Sequence, residues 1–284
     1  RCTANPTFFR ESMIHNLKPA TAKKRVLVVG GGPSGMEAAI TLSDRGHEVI
    51  LCEKKDHLGG ALEFAKHVSF KQDLDKLMNV LIRRVEIRPI QVMLNTEVTP
   101  DLARDLHVDA VIAALGGTPI IPNIPGINGK NTVLAIGIHD HMDRVGERVV
   151  MIGGGLVGCE EAIDLAEKGR TVTIVEMKPE LCRDAPYLHH EGVLIELDKH
   201  HVQTYLNSSC LEITEQGAVI SLDGKPHLIP ADTVVIAAGV KPLMDEAEAL
   251  RDCALDFRRI GDCKRPRKVY DALREGFDAG TFLC

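Results

Sequence analysis

Two glycine clusters are the residues in this sequence whose type and spacing point most directly to chemistry. Gly30-x-Gly32-x-x-Gly35 and Gly153-x-Gly155-x-x-Gly158 each follow a short apolar run and precede a helix-like stretch. In such a turn the first glycine permits a sharp change from strand to helix, and the second lets a pyrophosphate approach the backbone. The third lets helix and strand pack closely. Free N–H groups and the positive end of the helix dipole then face the anion. One cluster alone is weak, because glycines also punctuate ordinary turns. Here each is followed, 23 residues after its first glycine, by a carboxylate, Glu53 or Glu176, close to the spacing of a ribose-binding acid. A carboxylate at Glu176 accepts from a ribose 2′-OH and repels a 2′-phosphate, which predicts NADH in preference to NADPH. Lys178 nearby reads as a solvated lysine.

Other reactive residue types point elsewhere. Eight cysteines are scattered without a C-x-x-C pair, a pattern of reduced thiols rather than a disulfide framework or a dithiol redox centre. Cys159 reads as a small buried hydrophobe. His189, His190, His200 and His201 form adjacent pairs that lack the spacing of helix-borne metal ligands. The formal charge of −6 disfavours a nucleic-acid surface, and no apolar run is long enough for a membrane span. With no signal-peptide pattern, a cytoplasmic chain is expected. The sequence begins at Arg1 with a polar, aperiodic segment, as expected of a piece of a longer protein.

The elements that must position the glycines repeat. Arg25–Glu37 is echoed by Arg148–Glu160 at an offset of 123, which also carries Glu53 onto Glu176, Gly116 onto Gly239 and Pro119 onto Pro242. Each copy reads as strand, glycine turn, helix, strand: 26–29, 36–45 and 48–53 in the first, 149–152, 159–168 and 171–176 in the second. Gly46 and Gly169 are expected to close the helices as left-handed C-caps. Further helices are expected at 70–87, 191–201 and from Val269, strands at 108–114 and 233–238, and a hairpin over 211–223 with its turn at Asp223-Gly224. The fold class is therefore α/β, with two Rossmann-like dinucleotide-binding domains of parallel sheets flanked by helices.

These residues resemble the flavoprotein reductases with two dinucleotide-binding domains. Ile260-Gly261-Asp262 looks like their C-terminal Gly-Asp motif, and Leu58-Gly59-Gly60 like the loop after the first ribose-binding acid. Ala114-Leu115-Gly116 and Ala237-Ala238-Gly239 resemble the paired Ala-Thr-Gly motifs, without the threonine. Cys2-Thr-Ala-Asn-Pro6, Leu94–Pro100 and Gly261-Asp-Cys263 followed by Pro266-Arg267-Lys268 are similar to the C-terminal part of the NADH:flavin oxidoreductases typified by 2-enoate reductase and 2,4-dienoyl-CoA reductase.

That resemblance implies an FAD-binding domain at 23–130 and 255–284, interrupted by an NAD(H)-binding domain at 131–254, with 1–22 as a linker from a TIM-barrel domain not in this sequence. It implies FAD contacts at Gly30, Gly32, Pro33, Ser34, Gly35, Glu53, Lys54, Gly59, Gly60, Leu62, Val98, Ala114, Gly116, Gly261 and Asp262. It implies NADH contacts at Gly153, Gly155, Leu156, Val157, Gly158, Glu176 and Gly239, with Glu160 a candidate near the reacting rings. Cys2 matches one ligand of a [4Fe–4S] cluster whose other ligands are not in this sequence. In that family the cluster relays electrons to FMN in the barrel, where an enoate or enoyl-CoA-like alkene is reduced. Two alternatives remain open: a free-standing NADH:acceptor or ferredoxin-type reductase, and a redox-inactive module with ADP in place of FAD. Neither alkene substrate nor oligomeric state follows from the sequence.

Overall fold

The computed structural model describes residues 2–283 except Asn16 and Lys18, so Arg1 and the thiol of Cys284 lie outside the described residues. The chain packs into two units, Arg1–Thr118 with Lys241–Cys284, and Pro119–Val240 between them in sequence. These boundaries precede the expected ones at 130/131 and 254/255, and packing explains both shifts. The Pro/Gly-rich stretch after Pro119 belongs to the second unit, where the Ile213 N–H donates to the Pro125 carbonyl at 2.8 Å. Ala247 and Leu250 are buried in cores of the first unit.

In chain order the first unit supplies α1 (Glu11–His15), β1 (Arg25–Val29), α2 (Pro33–Asp44), β2 (Glu48–Cys52), α3 (Gln72–Glu86), β3 (Ile90–Met93), α4 (Pro100–Asp105), β4 (Ala110–Ala113) and β5 (Gly117–Pro119). The second comprises β6 (Thr132–Leu134), β7 (Arg148–Ile152), α5 (Leu156–Glu167), β8 (Thr171–Val175), α6 (Tyr187–Lys199), β9 (Gln203–Tyr205), β10 (Cys210–Thr214), β11 (Gly217–Leu222), β12 (Lys225–Pro230) and β13 (Thr233–Ile236). The return carries β14 (Val240–Pro242), α7 (Met244–Glu248), β15 (Asp256–Arg259) and α8 (Val269–Thr281). β5 and β14, the two crossing segments, pair with each other.

Each unit is built on a five-stranded sheet, ordered β15-β4-β1-β2-β3 in the first and β6-β13-β7-β8-β9 in the second. All pairings in both are parallel, so both faces need cover and the strands read as apolar runs. Alternate residues sort to the two faces. In the first unit Val26, Val28, Val49 and Leu51 join the core with α2, α3 and α8, while Leu27, Val29, Ile50 and Cys52 pack toward Ala103 of α4, Leu250 and Phe257. In the second, Val149 and Met151 pack with α5 and α6, and Val150 and Ile152 lie under the sheet β10-β11-β12.

Two local expectations shift. The helices after the glycine turns start at Pro33 and Leu156 rather than at Met36 and Cys159, because Gly32 and Gly155 are extended N-caps and Pro33 suits the first helical position. In place of a hairpin over 211–223 there is a three-stranded meander whose last strand is β12. Asp223 and Gly224 do make a turn with positive φ (50° and 76°), but it leads into a strand carrying Pro226 and Pro230, which an edge position tolerates. Gly46 and Gly169 have φ of 90° and 83°, as left-handed closures of α2 and α5 require. Among the described residues no helix is long and apolar enough to cross a membrane.

Candidate functional site

The two glycine turns are near copies. A Cβ at Gly30 would overlap the Ala114 carbonyl oxygen, and one at Gly153 the Ala237 carbonyl oxygen; both glycines have positive φ, 109° and 112°. Gly35 and Gly158 close the turns by packing on the carbonyls of Gly30 and Gly153. The middle glycine of each run, which spacing alone did not single out, fixes the acid: the Gly31 N–H donates to Glu53 Oε2 and the Gly154 N–H to Glu176 Oε2, both at 2.6 Å. The other oxygens accept from the Lys55 and Lys178 N–H groups, both at 2.9 Å. Glu53 and Glu176 are thus buried carboxylates held at two points, with lone pairs left for a diol. Neither α2 nor α5 carries an acid in its first turn or a side-chain cap, so no side chain of either helix competes with a phosphate at its own N-terminus.

The first turn shows an independent fit to a diphosphate. Ser34 is buried in the first turn of α2, and its Oγ has no hydrogen-bond partner among the described residues; a buried hydroxyl left so is costly unless a ligand oxygen accepts from it. Gly261 and Asp262 sit in a short 3-10 turn beside Ser34. Burial raises the Asp262 carboxyl above the usual carboxylate range, opposed by the Arg267 N–H at 3.2 Å. The loop Leu58-Gly59-Gly60 lies over the turn, with a Cβ at Gly60 only 2.7 Å from the Gly32 Cα. Ala114 and Gly116 follow β4. Lys54 is exposed, and Val98 is partly buried against the core behind β2. Leu62 is 1% exposed and belongs to the core, which leaves only its backbone to offer a ligand.

In the second unit Gly155 has open space around it and borders a cavity of about 200 Å³ lined by Glu176, Lys178, Glu180, Arg183 and Asp184. Leu156 packs on the core and Val157 is exposed. Glu160 is buried on α5 and pairs with His189 Nε2 at 2.9 Å. Gly239, with φ 101°, follows β13. His190 lies near Glu180 and Glu191, and His200 near Glu167 and Glu196. A buried group of His139, Glu161 and Asp164 also pairs internally, His139 with Glu161 at 3.3 Å, and the exposed Lys168 pairs with Asp164 at 2.5 Å.

The described cysteines are free thiols. Burial raises Cys52 to about 11 and also raises Cys263, while a hydrogen bond with Cys182, then burial, pushes Cys159 far up. None of these three thiols is a ready nucleophile. Cys2 is partly exposed, and the segment following it is tied to α8 of the same unit: Arg10 pairs with Asp278 at 2.6 Å and Arg274 donates to the Pro6 carbonyl at 2.8 Å.

Comparison with known proteins agrees with this geometry. The profile described as pyridine nucleotide-disulphide oxidoreductase matches residues 24–264. An NADH oxidase of Thermoanaerobacter brockii is 39% identical over 98% of this chain and 44% of its own length. A cinnamate reductase of Clostridium sporogenes is 32% identical over 98% of this chain and 42% of its own. A solved 2-naphthoyl-CoA reductase in complex with 2-naphthoyl-CoA superposes with a TM-score of 0.93 at 32% identity, covering 99% of this chain and 43% of that one. The chain therefore spans less than half the length of these relatives.

Proposed function

Since the chain belongs to the pyridine nucleotide-disulphide oxidoreductase family, we propose that it is the NADH-oxidising flavin part of an enzyme that reduces an activated carbon–carbon double bond of an enoate or enoyl-CoA-like compound. Membership in the family implies FAD and NAD(H) as cofactors. In this reading the first unit takes FAD and the second NADH. When bound, NADH supplies a hydride and FAD accepts it.

The chain's own residues bind and align. The N–H groups at the start of α2 and the Ser34 hydroxyl hold a diphosphate, Glu53 the adjoining ribose, and Asp262 the polar chain leading to the flavin. The start of α5 and Glu176 do the same for NADH. No side chain has to act as acid or base in hydride transfer; the protein's part is orientation and exclusion of water. A [4Fe–4S] cluster needs four thiolates. Cys2 is the one candidate this reading offers, so no step through a cluster or FMN is assigned to this chain.

The observation that carries the proposal is the pair of carboxylates, each held by two backbone N–H groups over a glycine turn. Its test is an anaerobic absorption titration of the purified chain. Flavin bands that NADH bleaches support it; no flavin uptake on reconstitution overturns it. The likeness to an NADH oxidase favours a second reading, an NADH:acceptor reductase. The full-length protein separates the two: anaerobic reoxidation of its NADH-bleached flavin by an added cinnamate supports the first reading, and reoxidation by a one-electron carrier but not by cinnamate supports the second.

A further inference from the structure

We infer that Glu275 on α8 is a positioning residue for the flavin site, holding the Gly261–Asp262 turn where Asp262 meets the ligand. The inference rests on FAD occupying the first unit. Glu275 Oε2 accepts the Gly261 N–H at 2.8 Å. Its Oε1 accepts from Lys264 Nζ at 3.2 Å and from the Arg267 guanidinium. The backbone N–H of Arg267 in turn donates to Asp262 Oδ1 at 3.2 Å. One carboxylate thus grips the loop on both sides of Asp262. Burial opposes its charge, but Arg267, the Gly261 amide and Lys264 outweigh that and hold the carboxyl below its ordinary range.

The grip is also registered against the phosphate end of the site. Gly276, the next residue, packs so closely on α2 that a Cβ there would overlap the Ser34 carbonyl oxygen and stand 3.1 Å from the Ala38 nitrogen. Gly261 meets Ser34 from the other side, where a Cβ would lie 3.0 Å from its Cβ and Oγ. α8 therefore cannot move along α2 without carrying Glu275, and with it the Asp262 turn, away from the unpartnered Ser34 hydroxyl. The places for the diphosphate and for the polar chain that adjoins it are thus both registered against one helix.

The test is FAD affinity, read by quenching of flavin fluorescence in wild type, Glu275→Ala and Glu275→Gln, together with unfolding of the FAD-free proteins and NADH affinity. Glu275→Ala should weaken FAD binding about tenfold to a hundredfold, the value of a charge-assisted hydrogen bond left unmade. Glu275→Gln should lose less, because its amide oxygen still accepts from Gly261 while the two cations are released. NADH affinity should not move. The inference is overturned if both variants bind FAD as wild type does. It is equally overturned if Glu275→Gln is no better than Glu275→Ala, or if FAD affinity falls only in step with FAD-free stability. Wild-type protein that takes no FAD overturns the proposed function itself, and this inference with it.

Discussion

The two halves of the chain place the same atoms around the same turn and then close it differently. Gly30, Gly35, Glu53 and Leu58 have counterparts in Gly153, Gly158, Glu176 and Leu181, down to the Leu58 and Leu181 side chains that would overlap a Cβ at Gly31 or Gly154. At the next positions the halves part. Gly59-Gly60 in the first folds down on Gly32, whereas Cys182-Arg183 in the second stands off from Gly155 and opens a cavity. The helices differ too: Glu37 of α2 is buried against Arg84 of α3 at 2.8 Å, while its counterpart Glu160 on α5 pairs with the half-exposed His189. A turn closed by glycine suits a ligand that stays; a turn flanked by long charged side chains suits one that comes and goes.

Exchanging features between the halves tests that contrast. The largest effect is expected from Gly153→Val, which places a branched side chain at positive φ against the Ala237 carbonyl. Flavin content should persist while bleaching by NADH slows by about a hundredfold, read by anaerobic stopped flow; bleaching at the wild-type rate would show that the second turn does not carry NADH. Gly30→Val is the mirror case, with flavin lost and NADH still bound. Next, Glu176→Ala should weaken NADH about tenfold and narrow its advantage over NADPH, whereas Glu53→Ala should act on FAD alone; titration of both nucleotides against both variants checks it. A smaller, several-fold effect is expected from the loops. Gly60→Ala should speed FAD dissociation, and Arg183→Gly should alter NADH affinity without touching FAD.

The smallest effect concerns charge. Burial holds the Asp262 carboxyl above its ordinary range, so its ionised form is disfavoured in the fold. That cost is present at neutral pH and disappears as pH falls through the raised pKa. Asp262→Asn should therefore raise the unfolding temperature of the FAD-free protein slightly at pH 7 and not below pH 4, while weakening FAD. Calorimetry at the two pH values reads it, and a lower midpoint at pH 7 would mean that the carboxylate is a net stabiliser.

Much of this is legible in the sequence, because glycine spacing and the constant offset between halves are physical demands of a turn and a sheet. A strand-to-helix corner accepts few residues at Gly30 or Gly153, and buried parallel strands need runs such as Arg25–Val29. What escaped depended on partners distant in sequence. Gly31 and Gly154 look like spare members of a glycine run until their N–H groups meet the carboxylates of Glu53 and Glu176. Glu275 reads as an ordinary charge on an amphipathic helix, since its role comes from a loop that begins 14 residues earlier. The strand at Lys225–Pro230 carries two prolines and mostly exposed residues, so neither composition nor alternation marks it. The unit boundaries were displaced because proline and glycine mark a loop without saying which core it packs on.

The interleaving of the two units also sets an order of assembly. The second unit is continuous from Pro119 to Val240, and its sheet has every strand once β13 has been made. The first must wait: β15, an edge strand of its sheet, and α8, which packs along α2 through Gly276 and Gly280, come after the whole of the second. During synthesis from the N-terminus, β4 therefore keeps an open edge and α2 an uncovered face while the second unit is made. The half that comes first in the sequence is the last to be finished.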